Sequence, residues 1–129
     1  MLVCANNGNF PANDKDELKT AVNDAIKSGE TSLEVPYETT QPKVTDSYPC
    51  MAILCCEDGA SINYFESEGG TAYVSTGDKT RHGTIDVNID GEVYQLSRGQ
   101  IVPEEKILEI AEAFMNEMKL PECVEWEKI

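Results

Sequence analysis

The chain has little with which to do chemistry. It holds one histidine, His82, and one tryptophan, Trp126. It has no G-x-S-x-G elbow, no Gly-rich phosphate loop and no C-x-x-C pair. A catalytic triad needs a nucleophile held beside a histidine and a third group to orient it. His82 lies instead next to Arg81 in a polar loop bounded by Gly77 and Gly83, and reads as a surface residue. The five cysteines, Cys4, Cys50, Cys55, Cys56 and Cys123, are odd in number and scattered. With a single histidine they do not supply four converging zinc ligands. Three of them fall in the most apolar segment, where a thiol is usually inert. They read as reduced, small apolar residues, and the expected location is cytoplasmic. Long hydrophobic runs are missing as well. The longest, Met51 to Cys56, falls far short of the ~20 residues of a membrane helix. The start, Met1 to Asn7, lacks a basic region and a long apolar core, so no secretory leader is expected. Above all, positive charge is scarce: 10 Lys and Arg stand against 24 Asp and Glu, for a formal net charge of −14. A surface that grips nucleic acid must neutralise phosphates, and this chain cannot. It repels nucleic acid and anionic membrane and attracts basic surfaces. A small acidic protein that binds a basic protein fits this balance; solubility alone fits it too.

What is present suffices for one folded domain over 1–129. Forty per cent of the residues are hydrophobic, too many for a disordered acidic tail. A chain of this length buries roughly two-thirds of its unfolded surface and folds without disulfides or metal. The spacing predicts a first helix at about 14–28, opened by Asp14 with Glu17 and carrying Leu18, Ala21, Val22, Ala25 and Ile26 on one face. A second is predicted at about 103–118, opened by Pro103, with Ile107, Leu108, Ala111, Phe114, Met115 and Met118 as its buried stripe. Thr31–Val35 reads as a short strand, and 36–49, with Pro36, Pro42 and Pro49, as an exposed loop. The run Cys50–Cys56 suits a buried central strand, with Cys55 and Cys56 pointing to opposite faces. Ser61–Ser67 and Thr71–Thr76 follow as strands between turns. Thr84–Asp90 alternates, with Ile85, Val87 and Ile89 inward, and Asp90-Gly91 turns it into Glu92–Ser97. Glu122–Ile129 reads as a last strand in which Trp126 is a core anchor ahead of a binding residue. The class expected is α+β: an antiparallel sheet of about five or six strands packed by two helices.

Asp86-x-Asn88-x-Asp90-Gly91 resembles the first half of a calcium loop, but the twelfth position is Ser97 rather than a bidentate Glu. A hairpin with an outward acidic stripe explains the pattern, and no metal or cofactor is expected. The acids that stand out are Glu57, Asp58, Glu66 and Glu68, with no base between them, and Asp86 and Asp90 on the next hairpin. The glutamates of the second helix read as its wet face. Affinity rests on a few buried anchors, usually aromatic, and Tyr64, Phe65 and Tyr73 are candidates that equally suit the core.

The last part of the chain carries a likeness. Ile101-Val-Pro-Glu-Glu-Lys-Ile107 leads into a helix with Ala111 and Phe114, and Leu120-Pro-Glu-Cys-Val-Glu-Trp-Glu127 follows. A helix opened by Pro, an Ala/Phe pair, a break with Pro, then Val-x-Trp-Glu resembles the type-one Imm immunity proteins of bacterial polymorphic toxin systems. Gly70-Thr-Ala-Tyr-Val-Ser-Thr-Gly77 is similar to that family's aromatic strand ending in Gly, with Tyr73 where an aromatic, often Trp, is expected. The likeness covers roughly 50–129; the first fifty residues are not diagnostic. It implies a non-enzymatic inhibitor of a cognate toxin, commonly a nucleic-acid deaminase. The expected partner is thus a basic toxin domain, bound without direct contact to nucleic acid or membrane. Its active-site cleft would be occluded by an acidic surface holding Glu57, Asp58, Glu66, Glu68, Asp86, Asp90, Tyr64 and Tyr73. Two alternatives remain open: a nucleic-acid-mimicking inhibitor of another enzyme, and a small enzyme or ligand-binding domain using His82 or a thiol.

Overall fold

The structure is a computed structural model that describes residues 2–5, 8–11, 14–27, 32–36, 49–57, 59–66, 70–89, 91–117 and 119–128. Asp58, Glu68, Asp90, Met118 and most of the expected 36–49 loop lie outside the described residues, as do the side chains of Cys4 and Ile89.

The first helix, α1 (Lys15–Lys27), starts where Asp14 caps it. The Asp14 carboxylate accepts the Glu17 N–H at 2.8 Å and its carbonyl accepts the Leu18 N–H at 3.0 Å. Leu18, Ala21, Val22 and Ala25 are buried, one face of a 3.6-residue period. The second, α2 (Glu104–Glu117), follows Pro103, whose carbonyl accepts the Lys106 N–H at 2.9 Å, and Glu104 and Glu105 sit at its positive end. It buries Ile107, Ala111 and Phe114 as expected, and also Ile110, which the expected stripe omitted.

Among the described residues nine strands accompany these helices: β1 (Leu2–Ala5), β2 (Gly8–Pro11), β3 (Ser32–Pro36), β4 (Cys50–Cys56), β5 (Gly59–Phe65), β6 (Ala72–Thr76), β7 (Thr84–Ile89), β8 (Glu92–Ser97) and β9 (Glu125–Lys128). Seven form one sheet in the order β2-β1-β3-β4-β5-β6-β9, each neighbour antiparallel. The α+β class with two helices stands. The sheet is wider than the five or six strands expected, because the unread N-terminal segment adds the hairpin β1–β2. The pair β7–β8 stands apart as a two-stranded sheet.

Alternation along β4 and β5 gives the large sheet two apolar faces. Met51, Ile53, Cys55, Ala60, Ile62 and Tyr64 join the helices in the main core. Leu54 and Cys56 point the other way, onto a smaller cluster of Val87, Leu96 and Ile101, with Ile85 beside it. Cys55 and Cys56 therefore part to opposite faces, as a strand requires. The helices cover one face of the sheet and the β7–β8 hairpin covers part of the other.

The hairpin is tied down by the segment after it. A 3-10 turn, Arg98–Gln100, leads into Ile101 and Val102, which run along the start of β5. Ala60 and Val102 exchange both backbone hydrogen bonds, at 3.0 and 2.8 Å, and the Gly77 N–H donates to the Gly99 carbonyl at 2.8 Å. The fully buried Ser75 hydroxyl accepts the Ile62 N–H at 3.0 Å and donates to the Gln100 carbonyl at 2.8 Å. Backbones approach so closely that a Cβ on Gly59 would stand 1.9 Å from the Val102 oxygen, and one on Gly77 1.9 Å from the Ile101 oxygen.

Candidate interaction surface

The turn and register of the hairpin decide what it shows. Gly91 takes a positive φ of 86°, and the Asn88 Oδ1 accepts the Gly91 N–H at 3.1 Å. Asn88 is thereby committed to the turn. Among the described residues no three His, Cys, Asp or Glu side chains converge as a metal site. Val87 stands opposite Tyr94, Asn88 opposite Val93, and Asp86 opposite Gln95. Val93 and Tyr94 are 65% and 43% exposed, the exposed large hydrophobic side chains of the described chain. Adjacent on a strand, they point to opposite faces. Tyr94 shares the inner side with Val87 and Leu96, and its hydroxyl donates to the Glu92 carboxylate at 2.9 Å. There it borders a groove of about 270 Å³ between β8 and the sheet, floored by Leu54 and Val74 and walled by Ser61, Asn63 and Gln100.

Two carboxylates border this groove, Glu92 at Tyr94 and Glu127 beside Val74. Glu127 stands opposite Val74, and Glu125 opposite Thr76, so β9 adds acids to the hairpin side of the sheet. Glu125 reaches Lys79 at 3.3 Å. Asp86 and Glu127 are exposed and make no ion pair among the described residues. The acids beside α2 differ. Glu112 pairs with Lys15 at 3.3 Å and Glu109 with Lys106 at 3.0 Å, so part of that charge is met within the chain.

The acids that lie close in sequence are not all brought together. Glu57 precedes β5 and Glu66 follows it, both exposed, at opposite ends of a strand roughly 20 Å long at ~3.3 Å per residue. Asp86 is exposed on the hairpin, as expected. Asp58, Glu68 and Asp90 lie outside the described residues. Of the aromatic candidates, Tyr64 is 3% exposed and takes the core role, its ring 5.9 Å from Phe114 and 6.2 Å from Tyr73. Tyr73 is half-buried against the same core, and Phe65 is half-buried at the end of β5. Trp126 also packs on the core, 6.3 Å from Tyr64, and donates its indole N–H to the Pro121 carbonyl at 2.6 Å. Tyr94, Glu92 and Glu127 carry no local sequence signal that singles them out. Alternation alone does not flag Tyr94, because it shares the inward register of Val87 and Leu96; its exposure comes from lying beyond the small cluster those two residues join.

His82 is exposed on its loop, and Cys50 and Cys55 are buried. Burial pushes the Cys123 thiol up, reinforced by Glu109, so it stays protonated at neutral pH. Asp78, by contrast, is held low by hydrogen bonds from the Thr80 hydroxyl and N–H, which shape the loop. Among the described residues no helix is long and apolar enough to cross a membrane.

Residues 6–128 match the immunity protein family Imm1. The chain belongs to the Imm1 family. The match takes in nearly all of the N-terminal part, including β2 and α1, which carries no diagnostic motif. No curated protein matches the chain. An Imm1 protein is an immunity protein, and its partner is a cognate toxin.

Proposed function

We propose that this Imm1 protein neutralises a nucleic-acid deaminase toxin by covering its active-site cleft. The contact surface is the acidic side of the sheet, where the hairpin β7–β8 and β9 present Asp86, Glu92 and Glu127, and Asp90, next to Gly91 in sequence, is proposed with them. The observation that carries this reading is that Asp86, Glu92 and Glu127 are exposed and make no ion pair among the described residues, on a chain of net charge −14. A toxin that handles nucleic acid must hold phosphates with Lys and Arg. Those cations are the complement of this face, and an acidic hairpin seated on them excludes the substrate. Long-range attraction speeds the encounter, and the rate falls as salt rises. The protein itself performs no reaction. Its free cysteines suit the reducing cytoplasm, where an incoming toxin would meet its target.

The test uses the toxin domain encoded by the adjacent upstream gene. The double variant Asp86→Lys, Asp90→Lys is expected to lose at least tenfold in association rate at low salt and to protect deaminase substrates poorly, with an unchanged melting temperature. Unchanged affinity and protection would remove the hairpin from the interface. Equal binding to unrelated nucleic-acid enzymes would favour a general mimic of nucleic acid.

A further inference from the structure

We infer that the groove between β8 and the sheet is the anchor pocket of the toxin interface, and that Tyr94 is its central contact. This rests on the proposed function and specifies the partner. The occupant is a basic surface segment of the toxin that inserts an uncharged side chain between Tyr94 and the sheet, with flanking Lys or Arg on the acidic rim.

Three observations point there. The first is the exposure of Tyr94. The fold's needs on the inner side of the hairpin are met by Val87 and Leu96, both buried on Ile101. Tyr94 sits beyond them, 43% exposed, on a strand otherwise mostly open to water. A large aromatic that the fold does not bury is the residue type that dominates interface energetics when a partner does bury it. The second is that the ring is held in place. Its hydroxyl donates to Glu92, two residues away on the same face, at 2.9 Å, and Val87 lies across from it. A side chain fixed before binding loses little rotamer freedom on binding. The third is the contrast between the groove and its rim. Leu54, Val74, Ser61, Asn63 and Gln100 line it without a single charge, on a chain of net charge −14. Just outside stand Glu92, which accepts the Tyr94 hydroxyl, and Glu127, opposite Val74. An uncharged centre inside a charged, wet rim is the anatomy of a specific protein interface. The complementary partner is uncharged in the middle and basic at its edges. A volume of about 270 Å³ accommodates a side chain from a larger partner.

Affinity and rates for the adjacent-gene toxin domain are measured with Tyr94→Ala, Tyr94→Phe and Val93→Ser. A hot spot of at least ~2 kcal/mol corresponds to roughly 30-fold or more in Kd. Tyr94→Ala is expected to weaken binding by that factor, through faster dissociation, to the same extent at low and high salt. Tyr94→Phe keeps the ring and is expected to stay within about fivefold. Val93→Ser, on the opposite face of the hairpin, is expected to stay within about threefold. All three should melt within a few degrees of the parent, because both positions lie outside the core. If Tyr94→Ala binds within threefold of the parent while Asp86→Lys weakens binding, the groove inference falls and the acidic-face reading stands. If neither substitution matters, both fall. A loss for Val93→Ser as large as that for Tyr94→Ala would place the contact on the hairpin's outer face and overturn the assignment.

Discussion

Trp126 sits between two roles, and its geometry separates them. Its ring packs on Tyr64, and its N–H is spent on the Pro121 carbonyl, a bond that fastens β9 to the turn following α2. Trp126→Ala removes both at once. Loss of a buried Trp costs ~3–5 kcal/mol, and a half-buried one belongs at the low end, so a loss of about 3 kcal/mol is expected in urea unfolding. A variant as stable as the parent that fails to bind toxin would instead make Trp126 a contact residue. Tyr64 adds a pH prediction. Burial raises its phenol above the ordinary value of 10.0, with Glu66 adding to the effect. The unfolded chain then releases that proton first, so the contribution to stability is intact below the ordinary phenol value and is lost as pH rises towards the folded one. The Cys123 thiol, also raised, acts in the same direction from above its ordinary value of 9.0. The melting temperature should therefore fall as pH is raised through 9 and 10, and the alkaline fall should shrink in Tyr64→Phe. A flat profile in that range would contradict the burial of both groups.

At the scale of elements, the segment that crosses from β8 to α2 decides whether the interaction face exists at all. It holds the hairpin to the sheet through Ala60–Val102, Gly77–Gly99 and the Ser75 hydroxyl. Gly77→Val places side-chain atoms where the Ile101 carbonyl stands, since even a Cβ would lie at 1.9 Å. Faster amide hydrogen exchange is expected in β7, β8 and residues 98–102, with α1 retaining its protection, because the helices belong to the other core. Uniform loss across the chain would show that the two apolar clusters unfold together. The helices and the Asp90-Gly91 hairpin were legible in sequence because caps, periodicity and turn residues act locally. The hairpin β1–β2 was not, since strands of only four residues carry too little alternation to read, although Asn6-Asn7-Gly8 between them is a turn signal. Nor was the acidic rim. Glu127 joins Val74 through a β6–β9 pairing about fifty residues apart in the chain, whereas Glu57 and Glu66, nearly neighbours in sequence, are driven apart by the strand between them. Sequence distance misleads in both directions wherever strand pairing rather than chain proximity sets the neighbours.

For the molecule as a whole, charge and shape divide the labour of recognition. On the proposed interface, the net charge of −14 would set how fast a basic partner arrives, and the uncharged groove under Tyr94 how long it stays. The two contributions respond differently to salt, which makes them separable in kinetics. The claim on which the account turns is that this surface and nucleic acid compete for the same cleft of the toxin. It is tested by titrating the protein into the adjacent-gene toxin domain bound to a fluorescent single-stranded oligonucleotide, using a catalytically inactive toxin variant. Complete displacement of the oligonucleotide, with an apparent affinity that weakens in proportion to added oligonucleotide, is the expected result. A stable ternary complex of toxin, nucleic acid and this protein would contradict it.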